Sequence, residues 1–280
     1  MLIKIKFIID FDFWKDLIRL SIPIGLINVL IIVYFSVNTV MISFIKGDEA
    51  VGIYSASYKL VEAIKFIPGM FVLAVFPVMS YFHKFSLKNL KKTLIKSIQY
   101  MCIIALPIAV GTTVVAHKII FLLWGENFLQ AVLALKILIW VSALSFVTTI
   151  INYFLIAINK QKISIYIIGT SLILNIFLNI ALVPKFSYIG ASIAVLLSQI
   201  AVLCLTVSYL YFHLKINPFP KEMIRILLAA LLMGSLTYII KGDSFFPVVF
   251  ASAVIYFLLL FVLKGFRIDD FYLIKQIILK

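Results

Sequence analysis

Three ionisable residues stand where a membrane would make them expensive. Lys59, Glu62 and Lys65 follow one another at three-residue steps inside a long apolar run. On a helix that spacing confines them to an arc of about 120°. A charge buried in a bilayer costs at least about 2.5 kcal/mol unless it is paired or wetted. Glu62 can neutralise one lysine, so the group keeps a net positive charge. Two readings follow: a self-neutralising pair with the second lysine reaching outward, or a cationic patch on a water-filled path suited to an anion. The preceding run carries Ser21, Gly25, Asn28, Ser36, Thr39 and Ser43, which with Ile32 fall within an arc of about 80°. Such a stripe of small and polar residues either packs on another helix or lines a wet cavity. Asn38 lies off it. Asn28, Ser36, Thr39, Lys59, Glu62 and Lys65 are the candidate substrate-binding residues.

Other reactive side chains have simpler explanations. Cys102 and Cys204 lie inside apolar runs without metal-ligand spacing. His83, His117 and His213 sit at the ends of such runs, where an interfacial role suffices. There is no nucleophile elbow, phosphate loop or pair of carboxylates spaced for acid–base work, so no catalytic residue, metal or cofactor is expected. Ser171, Asn175 and Asn179 recur every fourth residue, and Gln199 follows the small residues Gly190, Ala191 and Ser192. These are read as groups that join membrane helices.

The elements that position these residues are transmembrane helices. Of 280 residues, 64% are hydrophobic and 13% charged, and the mean hydropathy is +1.19. A soluble domain is nearer half apolar and a quarter charged. The net charge of +14 does not indicate nucleic acid, because the lysines punctuate apolar runs instead of forming one soluble face. Runs long enough to span fall at 17–45, 54–82, 97–117, 130–158, 163–183, 188–212, 223–240 and 245–263. They are continuous, not alternating, which excludes a barrel. The fold class is therefore all-α integral membrane, with about eight helices. Pro23, Pro68, Pro77 and Pro107 should kink or break their spans. Eighteen of the 25 Lys and Arg residues lie on the side shared by both termini, four on the other and three within or near spans. That bias puts both termini in the cytoplasm. Residues 1–16 read as an N-terminal interfacial segment, not a signal peptide. Residues 84–96, with Lys88, Lys92 and Lys96 on one stripe and Leu87, Leu90 and Leu94 between, and residues 266–280 read as amphipathic stretches at the cytoplasmic surface, where simple topology anchoring explains them.

Several motifs, taken in order, resemble the polysaccharide flippases of the Wzx type. They are Leu20-Ser21-Ile22-Pro23, Gly47 to Ala56 with Tyr58-Lys59-Leu60, Phe76-Pro77-Val78-Met79-Ser80, Leu123-Trp124-Gly125 with Phe128 and Ala131, and Asn175, Asn179, Leu182, Pro184, Gly190, Ala191 and Ser198-Gln199. The resemblance runs from about residue 15 to 213. It implies the fold of the multidrug, oligosaccharidyl-lipid and polysaccharide exporter superfamily: two six-helix lobes about a central cavity, working by alternating access. It further implies a carrier of polyprenyl-pyrophosphate-linked oligosaccharides, with cavity cations meeting the pyrophosphate. By position those cations are Lys59 and Lys65. Asn38 departs from the pattern, since many relatives have an acid near it, which weakens any case for ion coupling there. The expected organisation is an interfacial segment (1–16), a six-helix lobe (17–213) matching the second lobe, two additional helices (222–264) and an interfacial tail (265–280). On that reading the chain is a truncated product or one half of a split transporter. It would pair with a separate N-terminal lobe or with a second copy. Two other functions stay open: export of drugs or organic cations, against which the cationic patch argues, and a membrane enzyme such as an oligosaccharide polymerase or ligase, which generally needs a longer outer loop than the one around His117 to Leu129.

Overall fold

The structure is a computed structural model and describes residues 10–220, 222–240 and 245–263. Residues 1–9 of the expected N-terminal segment and the whole of the expected tail lie outside it. In order, the chain forms α1 (Phe11–Lys46), α2 (Asp48–Ile64), α3 (Phe66–Phe85), α4 (Leu87–Trp124), a single 3-10 turn (Glu126–Phe128), α5 (Ala131–Ala157), α6 (Gln161–Leu214), α7 (Glu222–Ile240) and α8 (Phe245–Val262). Lipid offers backbone amides no partner, so each spanning segment satisfies its own by coiling.

Among the described residues seven helical segments are long and apolar enough to cross a membrane, with α2 and α3 counted as one. The 54-residue α6 supplies two crossings. Ser187 leaves the helical region at φ 52°, ψ −136°, and the chain turns back there. Ser164 near one end and Thr206 near the other line the same cavity, although a straight helix would hold them about 63 Å apart. At the turn, a Cβ on Gly190 would collide with the carbonyl of Leu182, so only glycine allows this approach. Among the described residues the crossings therefore number eight.

Three boundaries differ from the sequence reading. Helix α1 starts at Phe11, inside the expected interfacial segment, because the Asp10 carboxylate caps it by accepting from the amides of Asp12 and Phe13. The second span starts at Asp48 and breaks at Lys65. Pro68 explains the break: it has no N–H for the carbonyl of Ile64, and its ring crowds that carbonyl. Pro23, Pro77 and Pro107 lie inside helices that run on unbroken. Finally, the stretch 87–96 is the beginning of α4, not a separate surface helix. Leu90 and Leu94 are buried in the protein core, while Lys88, Lys91 and Lys92 stay exposed. Leu90 and Leu94 thus pack on protein, whereas Leu87 is exposed.

The main core joins α1 to α6. α1 lies along α6, α4 and α6 flank α5, and α2 and α3 pack on α5. Lipid tails are as apolar as leucine, so close packing and hydrogen bonds replace the hydrophobic drive. Accordingly, the buried positions include Ala105, Ala109, Ala116, Ala131, Ala134, Ala191 and Ala194. A second cluster attaches α7 and α8 to α4 through Ile103, Val110, Ile226, Met233 and Leu260. The Tyr256 hydroxyl donates to the carbonyl of Ile103 at 2.8 Å and pins α8 to α4.

Candidate functional site

Helix α1 has two faces. Ile27, Tyr34, Asn38 and Ile42 point inward and are buried. Ser21, Gly25, Asn28, Ile32, Ser36 and Ser43 are exposed on the other side, and Thr39 is half-buried. Among the described residues nothing covers the polar stripe.

Lys65 reaches that helix. Its ammonium lies over the Phe35 ring, 3.2 Å from the centroid, and 5.2 Å from the centroid of Tyr58. The Tyr58 ring stacks in turn on buried Tyr54 at 5.7 Å. Lys65 is about 26 Å along the chain axis from the start of α2, near the middle of a span. At such a depth an aromatic face offers an ammonium about 2 kcal/mol without neutralising it. Phe35 sits beside Ser36 on α1, so the structure brings Lys65 to the edge of the stripe. Lys59 and Glu62 are exposed on α2, as are Asn28 and Ser36 on α1.

Behind the stripe lies a cavity of about 80 Å³. Ile31, Tyr34 and Phe35 of α1 close one side of it. α5 contributes Ser145, Thr148, Thr149 and Asn152, and the two halves of α6 contribute Ser164, Gln199 and Thr206. Gln199 Nε2 donates to Thr148 Oγ1 at 3.0 Å, tying α6 to α5. Sequence reasoning did not find this cavity or the part played by Phe35. A signal was there: Ser142, Ser145, Thr148 and Asn152 recur along one side of α5 at helical steps.

Above the cavity three amides lock α1 to α6. Asn179 Nδ2 donates to Asn38 Oδ1 at 2.9 Å and to the carbonyl and side-chain oxygens of Asn175 at 2.9 and 3.0 Å. Asn38 Nδ2 points back to the carbonyls of Tyr34 and Phe35 at 3.3 and 3.4 Å. All three amides are fully buried. The reading of Asn175, Asn179 and Gln199 as helix-joining groups agrees with this geometry, and Asn38 is their partner on α1. Among the described residues no group of three or more His, Cys, Asp or Glu is placed to hold a metal ion.

Comparison with known proteins shows what the chain is similar to. The model of the family "Polysaccharide biosynthesis protein" matches residues 2–83. The probable flippase AglR of Haloferax volcanii is 26% identical over 174 residues, which covers 59% of this chain and 36% of the relative. An uncharacterized membrane protein of Methanocaldococcus jannaschii, MJ1375, is 28% identical over 191 residues, covering 68% and 45%. The probable low-salt glycan biosynthesis flippase Agl15 of Haloferax volcanii is 24% identical over 166 residues, covering 59% and 35%. The chain thus spans between a third and a half of the length of these relatives. Among solved structures, the lipid II flippase MurJ in an inward closed conformation superposes with a TM-score of 0.74 at 18% identity, covering 95% of this chain and 57% of MurJ. A transporter of the MOP superfamily from Pyrococcus furiosus gives 0.60 at 16% identity, covering 79% and 52%. The chain is a multi-pass membrane protein with the fold of the MOP-superfamily transporters. Over residues 2–83 its sequence is similar to the polysaccharide biosynthesis family, and over a longer stretch to two proteins named as probable flippases.

Proposed function

We propose that this chain forms one lobe of an alternating-access flippase that carries polyprenyl-pyrophosphate-linked oligosaccharide across the cell membrane. One observation carries the reading most: the Lys65 ammonium stands on Phe35 at mid-membrane depth, beside an exposed polar stripe. A pyrophosphate moving through the bilayer needs a cation that is held in place. Lys59 would extend that cation along the exposed face, and Asn28, Ser36 and Thr39 would offer hydrogen bonds to the same headgroup. Transport of this kind makes and breaks no covalent bond, so no catalytic group is required. The names of the flippase relatives support the substrate class. The alternative, an exporter of organic cations, is opposed by the sign of the charge at the stripe.

The exposed stripe also calls for a cover. Small and polar residues left against lipid are unfavourable, and alternating access needs two bodies moving about a shared site. The cover would be a first lobe. Both termini would lie in the cytoplasm.

The test uses the purified chain in liposomes with a fluorescent lipid-linked oligosaccharide. A verified monomer should not flip it. Lys65→Ala should weaken binding of a polyprenyl pyrophosphate at least tenfold, and Lys59→Ala by less. Sustained specific flipping by the monomer would reject the lobe reading. Undiminished pyrophosphate binding by Lys65→Ala would reject the role of the lysine.

A further inference from the structure

A second cationic surface lies away from the stripe, at the end of the bundle where α1 begins. Helix α3 ends there at Phe85 and α4 starts at Leu87, with only Ser86 between them. Lys84, Lys88, Lys91 and Lys92 are all exposed. Lys88, Lys91 and Lys92 share an arc of about 100° on α4, turned away from the buried Leu90 and Leu94. Because those leucines are fixed in the protein core, the helix presenting the lysines cannot roll. Among the described residues none of the four lysines has an ion pair or hydrogen bond. The sequence offers no acid between Glu62 and Glu126. The described acids at the same end, Asp10, Asp12 and Glu222, stand at the starts of α1 and α7. Like charges at three- and four-residue spacing repel, so the patch favours an anion from outside the protein.

The rings beside the patch are bare as well. Tyr81 and Phe85 stand one turn apart on α3 with their centroids 4.6 Å from each other, and both are exposed. Leu87, across the turn, is exposed too. Amphipathic rings in a membrane protein settle where acyl chains meet headgroups. Lysines next to them therefore stand at the level of the phosphates. Topology anchoring requires only the sum of the positive charges. It does not require them fixed on one arc beside uncovered rings.

We propose that the α3–α4 turn binds an anionic phospholipid of the leaflet that meets this end of the bundle. Lys84 and Lys88 stand on either side of the turn and take the phosphate from two helices. Lys91 and Lys92 extend the positive surface along α4. The acyl chains lie along Tyr81, Phe85 and Leu87. A zwitterionic headgroup carries its own ammonium and suits this patch poorly. A free phosphate would meet the lysines and leave the rings bare. The site is separate from Lys65, about 29 Å away along α3. A lipid seated there ties down the far end of the helix that begins at the break.

The experiment titrates the full chain in detergent with phosphatidylglycerol, phosphatidylcholine and inorganic phosphate, counting bound lipid by native mass spectrometry. Phosphatidylglycerol should bind about tenfold tighter than phosphatidylcholine, since each lysine near a membrane surface is worth up to about fivefold. Lys88→Gln, Lys91→Gln and Lys92→Gln together should abolish that preference, and glutamine keeps the helix propensity of lysine. Removing as many charges elsewhere at the same end, by Lys160→Gln, Lys162→Gln and Lys215→Gln, should leave the preference largely intact. Tyr81→Ala with Phe85→Ala should weaken phosphatidylglycerol binding without changing any charge. Elution profiles and circular dichroism should match the parent chain for every variant, as all these side chains are exposed. The proposal fails if the two lipids bind alike. It also fails if both lysine triples lose the preference equally, which would mean diffuse attraction. Inorganic phosphate binding as tightly as the lipid, with the ring substitutions inert, would overturn it in favour of a soluble anion.

Discussion

Asn38 and Asn179 show how an uncharged contact can hold two membrane helices together. Their bond, 2.9 Å long and fully buried, joins residues 141 apart in sequence. Removing one partner orphans the other, whereas replacing both with apolar groups removes the debt. Asn179→Leu alone is expected to destabilise the protein by about 1 kcal/mol, given the modest strength of such bonds in membranes. Adding Asn38→Leu should restore part of that loss. Thermal unfolding of the two single variants and the double variant measures the coupling; additive losses would show that the amides do not act as a pair. Part of this scale was legible in the sequence. The recurrence of Asn175 and Asn179 marks a helix contact, and the arc of the α1 stripe marks a face. Phe35 gave no such signal, because an aromatic residue in a membrane helix has the same pattern whether it faces lipid, core or an ammonium.

Among the elements, α6 shows the most strain. Ser187 holds a backbone conformation that glycine adopts freely and that costs other residues about 1–3 kcal/mol. Ser187→Gly should therefore raise stability by about 1 kcal/mol. Gly190→Ala should lower it by about 1–3 kcal/mol, because its new methyl would meet the backbone of Leu182, which cannot swing aside as a side chain could. Unfolding midpoints in one detergent check both signs, and a stabilising Gly190→Ala would contradict the close approach. The sequence revealed the number of spans and the turn near Pro184 through hydropathy. It did not reveal that Leu90 and Leu94 face protein, since core-facing and lipid-facing leucines share one period when both surroundings are apolar.

For the molecule as a whole, the lysine bias predicts the topology. A cysteine placed at Asp48, at the end of the first crossing, should react with an impermeant thiol reagent only from outside the cell. One placed at Asn159, between α5 and α6, should react only from the cytoplasm. The reverse pattern would invert the proposed orientation. A cysteine-free background is required, because Cys204 is exposed on the described surface.

The amide contact between α1 and α6 also has a consequence for synthesis. Asn38 leaves the ribosome 141 residues before Asn179. At ordinary rates of elongation that interval lasts roughly 7–28 s. Throughout it, the first helix waits in the membrane with its buried amide still lacking its eventual partner and free to bond to any passing polar group. The single-residue turn at Ser187 leaves no loop to be threaded separately, so the two halves of α6 must leave the insertion machinery as a pair. Assembly of this helix bundle is thus timed by α6, and a nascent chain stalled before that point would be exposed to mispairing and to quality-control proteases.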